Sequence, residues 1–98
     1  MLKDYLKTKH INLNTGKTTL SLEKQYWTLL DYLADEDGHA NWRDWFYVNV
    51  LSEYQGDIPL AAHTRSTVTT ALLQDLETFK DKYDPTRRQM RQIHALVS

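Results

Sequence analysis

The chain has 98 residues, a net charge of −1 and 41% hydrophobic residues, values that are typical of one globular domain. It contains no cysteine, which excludes disulfides and thiolate metal sites. No apolar run has the length of a signal peptide or approaches the roughly 20 residues that a membrane-spanning helix needs. We therefore expect a soluble, cytoplasmic protein without membrane association.

Charge is distributed unevenly along the chain. Residues 1–25 carry a net charge of +3, residues 26–79 carry −7 and residues 80–98 carry +3. Phosphate affinity depends on local positive potential more than on the total charge. The two basic ends are therefore compatible with nucleic-acid binding, although solvated helix faces would give the same pattern.

Alternating residues near the N-terminus predict two short strands. We expect a frayed helical turn in residues 1–8, a strand in residues 9–13, and a second strand in residues 17–22, with a turn signal between the strands. A two-residue turn at Thr15-Gly16 pairs Ile11 with Leu20, and a four-residue loop is the alternative. Because side chains alternate between the faces of a strand, the sheet has an apolar face and a polar face. The apolar face holds Ile11, Leu13, Leu20 and Leu22, and the polar face holds His10, Asn12, Lys17, Thr19 and Ser21.

Helical periodicity follows the second strand. The spacing of apolar residues predicts a first helix from Glu23 to about Asp37, with Gly38 as its stop. A second helix is expected from the N-cap Asn41 to about Tyr54, with Asp44 completing the cap. Apolar residues surround this second helix, which predicts burial on several sides, including against a second copy of the chain.

The remainder of the chain is predicted to be a loop and two helices. Residues 55–64 contain Gly56 and Pro59 and are expected to form the loop. A third helix runs from about Arg65 to Tyr83, and Asp84-Pro85 begins a short basic helix. The third helix carries an apolar stripe formed by Val68, Leu72, Leu76, Phe79 and Tyr83. We thus divide the chain into an N-terminal arm with a possible extra strand (1–16), a strand-helix-helix core (17–54), a loop with the third helix (55–83), and a basic C-terminal helix (84–98).

The core carries a recognisable pattern. The run Thr18-Thr19-Leu20-Ser21-Leu22-Glu23, followed by Trp27, Leu30 and Gly38, resembles one branch of the ribbon-helix-helix superfamily of bacterial and phage DNA-binding repressors. That branch reads roughly T-S-[IV]-x-L-E-x-x-F/W-W-x-x-L. The run from Arg65 to Leu72 is similar to its later part, which is rich in Ser and Ala. The resemblance implies a mostly α fold with a short β-ribbon, in the form of a homodimer.

The resemblance also implies a function, which is transcriptional repression by a β-ribbon that enters the major groove of double-stranded DNA. Outward side chains of the ribbon would then face base edges, and the N-terminus of the second helix would contact a phosphate. The DNA-contacting residues expected on this basis are Lys17, Thr19, Ser21, Asn41 and Arg43, joined by His10 and Asn12 if the first strand pairs with the second. Arg87, Arg88 and Arg91 form either a phosphate-contacting tail or a solvated helix end. The expected dimer interface comprises Leu20, Leu22, Trp45, Phe46 and Val50.

Two other functions stay open at this point. One is a protein-binding adaptor or antitoxin-like partner that keeps the dimeric scaffold but binds DNA weakly or not at all. The acidic middle of the chain and the short side chains of Thr19 and Ser21 favour it. The other is a monomeric helical domain with a β-hairpin.

Catalysis and metal binding are not expected. The chain has no Gly-rich phosphate loop, no Gly-x-Ser-x-Gly and no His-Glu-x-x-His, so we expect neither an enzyme nor a cofactor. A metal site needs several converging ligands, and the four histidines have no partner at helical spacing. The three tryptophans are expected to lie in the core. The residues concerned are His10, His39, His63 and His94, and Trp27, Trp42 and Trp45.

Overall fold

The protein is a β-hairpin followed by three α-helices, seen in a computed structural model that describes residues 5–83. The first unit of the chain ends at Val68 and the second begins at Thr69, within the last helix. The expected mostly α fold with a hairpin is confirmed, and its order is compatible with a strand-helix-helix core. The elements are β1 (Leu6–Leu13), β2 (Gly16–Glu23), α1 (Lys24–Glu36), α2 (Trp42–Asn49), a 3-10 turn (Leu51–Glu53) and α3 (Leu60–Tyr83).

The hairpin has a two-residue turn, as predicted, but the turn lies at Asn14-Thr15, one residue earlier than expected. Leu13 pairs with Gly16, so Ile11 lies opposite Thr18 and not opposite Leu20. Gly16 explains the position, because its φ of 137° is one that only glycine adopts readily. Moving the turn by one residue shifts each cross-strand pair by two. A shift of two leaves every side chain on its predicted face.

The N-terminal arm is a strand over most of its described length. β1 begins at Leu6, opposite Glu23, so the helical turn expected for residues 1–8 is wrong from Leu6 onward. Residues 1–4 lie outside the described residues. A helical turn of this length is only marginally stable in isolation, whereas the antiparallel ladder pairs β1 along all eight residues.

α1 follows β2 directly and ends where the sequence predicts. Its last turn closes on Gly38, whose φ is 77°, and the amide of His39 donates to the carbonyl of Ala34 at 2.8 Å. A left-handed glycine after the last turn is a common helix stop. The face of α1 that packs inward presents Trp27, Leu30, Leu33 and Ala34.

α2 is shorter than expected. Its N-cap is confirmed, since the side chain of Asn41 accepts a hydrogen bond from the amide of Asp44 at 3.1 Å. The helix ends at Asn49, however, and not near Tyr54. The Asn49 side chain donates to the Trp45 carbonyl at 3.0 Å, a type of local bond that competes with regular helix geometry. Trp45 and Phe46 of α2 are buried within the chain, whereas Val48 is 58% exposed, so burial of that side against a second copy stays a prediction.

The core lies between the hairpin and the helices of the first unit. The apolar face of the hairpin supplies three residues, and each helix adds its inward-facing side chains. Burying one large aliphatic or aromatic side chain stabilises a fold by about 1.5–3 kcal/mol relative to leaving it exposed. The most buried members of this core are Ile11, Leu20, Leu22, Leu30, Leu33, Trp45, Phe46, Val50 and Val68.

α3 begins at Leu60, five residues before the predicted start. Pro59 directly precedes it, and the amide of His63 donates to the Pro59 carbonyl at 3.0 Å. Proline fits the first turn of a helix because its missing N–H is not needed there. Of the predicted apolar stripe, Val68 is buried, whereas Leu76 and Phe79 are 46% and 60% exposed.

An ion pair joins α3 to the junction of β2 and α1. The guanidinium of Arg65 donates to both carboxylate oxygens of Glu23, at 2.9 Å and 2.7 Å. These hydrogen bonds hold the pKa of the Glu23 carboxyl below its usual value, and Glu23 in turn raises the pKa of Arg65. Both side chains are about one-third exposed, at 34% for Arg65 and 31% for Glu23, so solvent screens the pair.

We expect Glu23→Gln to lower the free energy of unfolding by about 0.5–1 kcal/mol at pH 7, the range of a partly exposed ion pair. Because the folded-state pKa of Glu23 is lowered, its contribution is complete above the unfolded-state value of about 4.3 and is lost as the pH falls through the folded-state value. Urea unfolding of both proteins between pH 7 and pH 2.5 measures this. The two unfolding curves should converge in acid, and the exposed Glu53→Gln serves as the control. A gap that persists at pH 2.5 would contradict the assignment.

Candidate nucleic-acid interface

The hairpin presents one polar face away from the core. Directly opposite pairs on this face are His10 with Thr19, and Asn12 with Lys17. A third pair, Thr8 with Ser21, is joined by a hydrogen bond between the two hydroxyls. Ser21 is half-buried and the other members are exposed. The structure therefore brings the five hairpin residues of the predicted DNA-contacting set together, and it adds Thr8. We call Thr8, His10, Asn12, Lys17, Thr19 and Ser21 the polar face.

The polar face carries groups that suit base edges and phosphates. A carboxamide and three hydroxyls can donate and accept, and the Lys17 ammonium is a donor with positive charge. Glu23 is the one acidic residue of the hairpin, and it lies at the end far from the turn. Its charge is paired with Arg65 at 2.7 Å. The face therefore has no unpaired carboxylate to repel a phosphate.

Side chains of α2 cover the outer edge of β1. Arg43 Nη1 donates to the carbonyl of His10 at 2.9 Å, and the hydroxyl of Tyr47 donates to the carbonyl of Asn12 at 2.9 Å. Arg43 and Tyr47 are four residues apart, so they lie on the same side of the helix. Arg43 is thereby placed beside the polar face, whereas the Asn41 side chain is used as the helix cap.

These two bonds also indicate in which direction the backbone N–H and C=O groups of β2 point. Because the carbonyls of His10 and Asn12 face outward, each belongs to a non-hydrogen-bonded pair of the ladder. Their partners Thr19 and Lys17 must then point their own N–H and C=O groups away from β1. In the part of the chain that the structure describes, no further strand lies along this outer edge of β2. Within residues 5–83, the edge of β1 is therefore covered by side chains of α2, whereas no strand pairs with the edge of β2, which we call the open edge.

Aromatic rings of α1 and α2 form a cluster next to β1. The rings of Trp27 and Trp42 meet edge to face at 5.0 Å, and Trp42 meets Phe46 at 5.8 Å. The Lys9 ammonium lies 4.7 Å and 5.0 Å from the centres of the Trp27 and Trp42 rings. Lys9 is thus a cation held on the apolar side of the hairpin. The predicted core position is confirmed for Trp27 and Trp45, while Trp42 is half-buried.

Sequence reasoning missed Lys9, Tyr47 and the contact that Arg43 makes. Spacing alone could have placed Arg43 and Tyr47 on one side of α2. Nothing in the sequence indicates that this side meets β1, because the contact joins residues more than 30 positions apart, as in the bond from Arg43 to His10.

The remaining predicted site residues lie elsewhere. The five expected at a dimer interface are at most 2% exposed and form the core of a single chain. Their role in a dimer stays a prediction. Arg87, Arg88 and Arg91 lie outside the described residues, as does His94. The five core residues are Leu20, Leu22, Trp45, Phe46 and Val50.

Two further properties are visible within residues 5–83. The histidines and carboxylates do not converge in any group of three that could hold a metal ion. No helix in this range is both long and apolar enough to cross a membrane. Of the histidines, His63 forms a hydrogen bond with the carbonyl of Val50 at 2.9 Å and packs beside the ring of Tyr54.

Comparison with known proteins found no matching family model, no matching curated protein and no matching solved structure. The resemblance to ribbon-helix-helix repressors therefore rests on the sequence pattern, and function has to be argued from the site itself.

We expect Tyr47→Phe to lower the free energy of unfolding by about 0.5–1 kcal/mol, because it removes a hydrogen bond to the β1 edge while keeping the ring. Urea unfolding measures the difference. Tyr32→Phe is the matched control, since Tyr32 is 49% exposed on α1. Equal effects of the two substitutions would show that the bond to Asn12 does not stabilise the hairpin.

Proposed function

We propose that the protein is a homodimeric DNA-binding regulator, a transcriptional repressor, whose polar face contacts the major groove. The observation that carries this proposal is the hairpin itself. It is a two-stranded ribbon whose exposed side is polar and free of unpaired carboxylates, and whose apolar side is fixed against the helices. A two-stranded β-ribbon is one of the two elements that the major groove admits.

The dimer would form through the open edge of β2. Lys17 and Thr19 direct unpaired backbone groups to that edge, and a second copy offers the same groups in the opposite direction. Antiparallel pairing of the two β2 strands would satisfy both sets. Arg43 and Tyr47 block the equivalent edge of β1. Assembly would therefore stop at two copies and give a four-stranded sheet.

The width of such a sheet assigns different roles to its strands. Four strands at about 4.8 Å spacing span about 14 Å, slightly more than the roughly 12 Å of the major groove. The two central β2 strands would enter the groove and present Thr19 and Ser21 to base edges, while Lys17, next to the turn, would reach a phosphate at the wall of the groove. The outer β1 strands would lie over the sugar-phosphate backbone, where His10, Asn12 and the adjacent Arg43 contact phosphates.

A protein-binding role on the same dimeric scaffold is the second candidate. Thr19 and Ser21 are short, and Ser21 is already bonded to Thr8 across the hairpin. Residues 26–79 also carry a net charge of −7, which disfavours DNA on any surface other than the hairpin. An adaptor or antitoxin-like protein would form the dimer but would not retard DNA at low salt.

Lys17→Ala should weaken binding to the DNA upstream of the protein's own coding sequence. Each dimer would lose two lysine side chains that contact phosphates, one from each copy. The slope of the logarithm of the binding constant against the logarithm of the salt concentration should become shallower by about 2. Gel retardation or fluorescence anisotropy between low and moderate salt gives the slope.

Lys24→Ala is the matched control for that measurement, since Lys24 is an exposed lysine on α1 rather than on the polar face. It should change the slope much less. Absence of retardation by the unmodified protein at low salt, with the dimer intact, would reject DNA binding in favour of the adaptor.

Thr19→Pro should convert the dimer into a folded monomer. Proline removes the outward N–H of Thr19 and is tolerated on a strand edge that faces solvent, but not within a paired ladder. His10→Pro is the matched control, because His10 lies directly opposite and its N–H points to the other edge. Sedimentation velocity, with circular dichroism as a check of folding, distinguishes the two. A dimer that survives Thr19→Pro, or that dissociates equally in both variants, would place the interface elsewhere.

A further inference from the structure

A groove of about 640 Å³ lies between the tip of the hairpin and the segment that follows α2. Both walls belong to the first unit of the chain. One wall is formed by the turn, with Asn12 and Asn14, and the other by Tyr54, Gln55 and Gly56. Tyr47 of α2 lines the groove as well. Its volume is in the range of small-molecule sites, about 300–1,000 Å³.

The groove is lined by uncharged groups. Every described residue that lines it is either apolar, a hydroxyl, a carboxamide or glycine. A site for a phosphorylated ligand needs cations or converging amides, and a site for a cation needs carboxylates. The lining therefore favours a neutral ligand that has both flat apolar faces and hydrogen-bonding edges.

Two tyrosine rings are held in fixed positions at this groove. The hydroxyl of Tyr47 is bonded to the carbonyl of Asn12 at 2.9 Å, and that of Tyr54 to the carbonyl of Ile58 at 2.7 Å. The Tyr54 ring also packs against His63 at 5.2 Å between ring centres. Because both hydroxyls are already bonded within the chain, the rings are left as pre-positioned apolar surfaces. Rigid aromatic surfaces of this kind suit stacking.

Three carboxamides complete the site. The side chains of Asn14 and Gln55 are exposed. A carboxamide offers one acceptor and two donors in a plane, which matches the N6 and N7 edge of adenine in a bidentate pair. Gly56, with a φ of 80° and open space at its missing Cβ position, leaves backbone accessible on the same wall.

We propose that this groove binds a neutral purine, as the free base or nucleoside, by stacking on the tyrosines and by edge contacts from the carboxamides. The site goes beyond the proposed DNA contact. It lies at the tip of the hairpin and shares Asn12 with the polar face, but it requires neither a dimer nor DNA.

The test is a titration of the ¹⁵N-labelled full chain with adenosine, without DNA, followed by amide chemical shifts. We expect shifts concentrated in residues 12–15, at Tyr47 and in residues 51–56. Adenosine monophosphate should bind no more tightly than adenosine, because no cation lines the groove. Shifts that are absent, that lie outside these residues, or that require the phosphate would each overturn the proposal, as would equal binding of glucose.

Two substitutions locate the site. Gln55→Ala and Tyr54→Leu should each weaken adenosine binding at least about fivefold, the lower end of what losing one base contact or one stacking surface does. Gln25→Ala is the matched control, an exposed carboxamide at the start of α1, and should leave the affinity unchanged. Tyr54→Phe keeps the ring but loses the hydroxyl bond that fixes it, so it should weaken binding less than Tyr54→Leu does, which separates loss of the stacking surface from loss of its positioning. An unchanged affinity in Gln55→Ala and Tyr54→Leu would overturn the assignment.

Discussion

Burial of one side of the hairpin is the constraint on which the rest of this structure depends. Ile11, Leu20 and Leu22 are at most 2% exposed beneath the helices. Because side chains alternate along a strand, fixing these three residues forces the intervening polar residues outward. The polar face is therefore a consequence of core formation, because a one-residue slip of a strand would turn its core residues outward.

The two edges of the hairpin differ for an equally physical reason. A strand edge left open in solution is a template for pairing with other chains. α2 removes this possibility for β1 with two side chains, Arg43 and Tyr47, whose bonds to carbonyls need no further strand. The edge of β2 has no such cover among the described residues. If each chain can pair through the edge of β2 alone, two copies can join there but no third copy can be added. Pairing of this kind gives a closed dimer, as proposed, and not a filament.

Much of the fold could be predicted from the sequence because it depends on local rules. Alternation predicted the two faces of the hairpin correctly even though the turn was misplaced, since an even shift preserves the faces. Gly38 and the Asn41 cap marked helix ends through their own backbone preferences. The end of α2 was not predictable in this way, because the apolar pattern continues past Asn49 and gives no sign that the helix stops. The start of α3 was missed because Pro59 was interpreted as part of a loop and not as a helix start.

The candidate site was predictable only on the strands. The residues of the polar face all lie on the two paired strands, so the alternation of side chains along each strand places them on one side. The positions of Arg43, Tyr47 and the groove depend instead on contacts between segments that are distant in the sequence. Asn12 is where these two kinds of information meet. It is on the polar face, its carbonyl is held by Tyr47, and it lines the groove. Under the two proposals, one residue would contact both DNA and a purine. Linkage then requires that each ligand change the affinity for the other by the same factor, so a purine that alters Asn12 would regulate DNA binding directly.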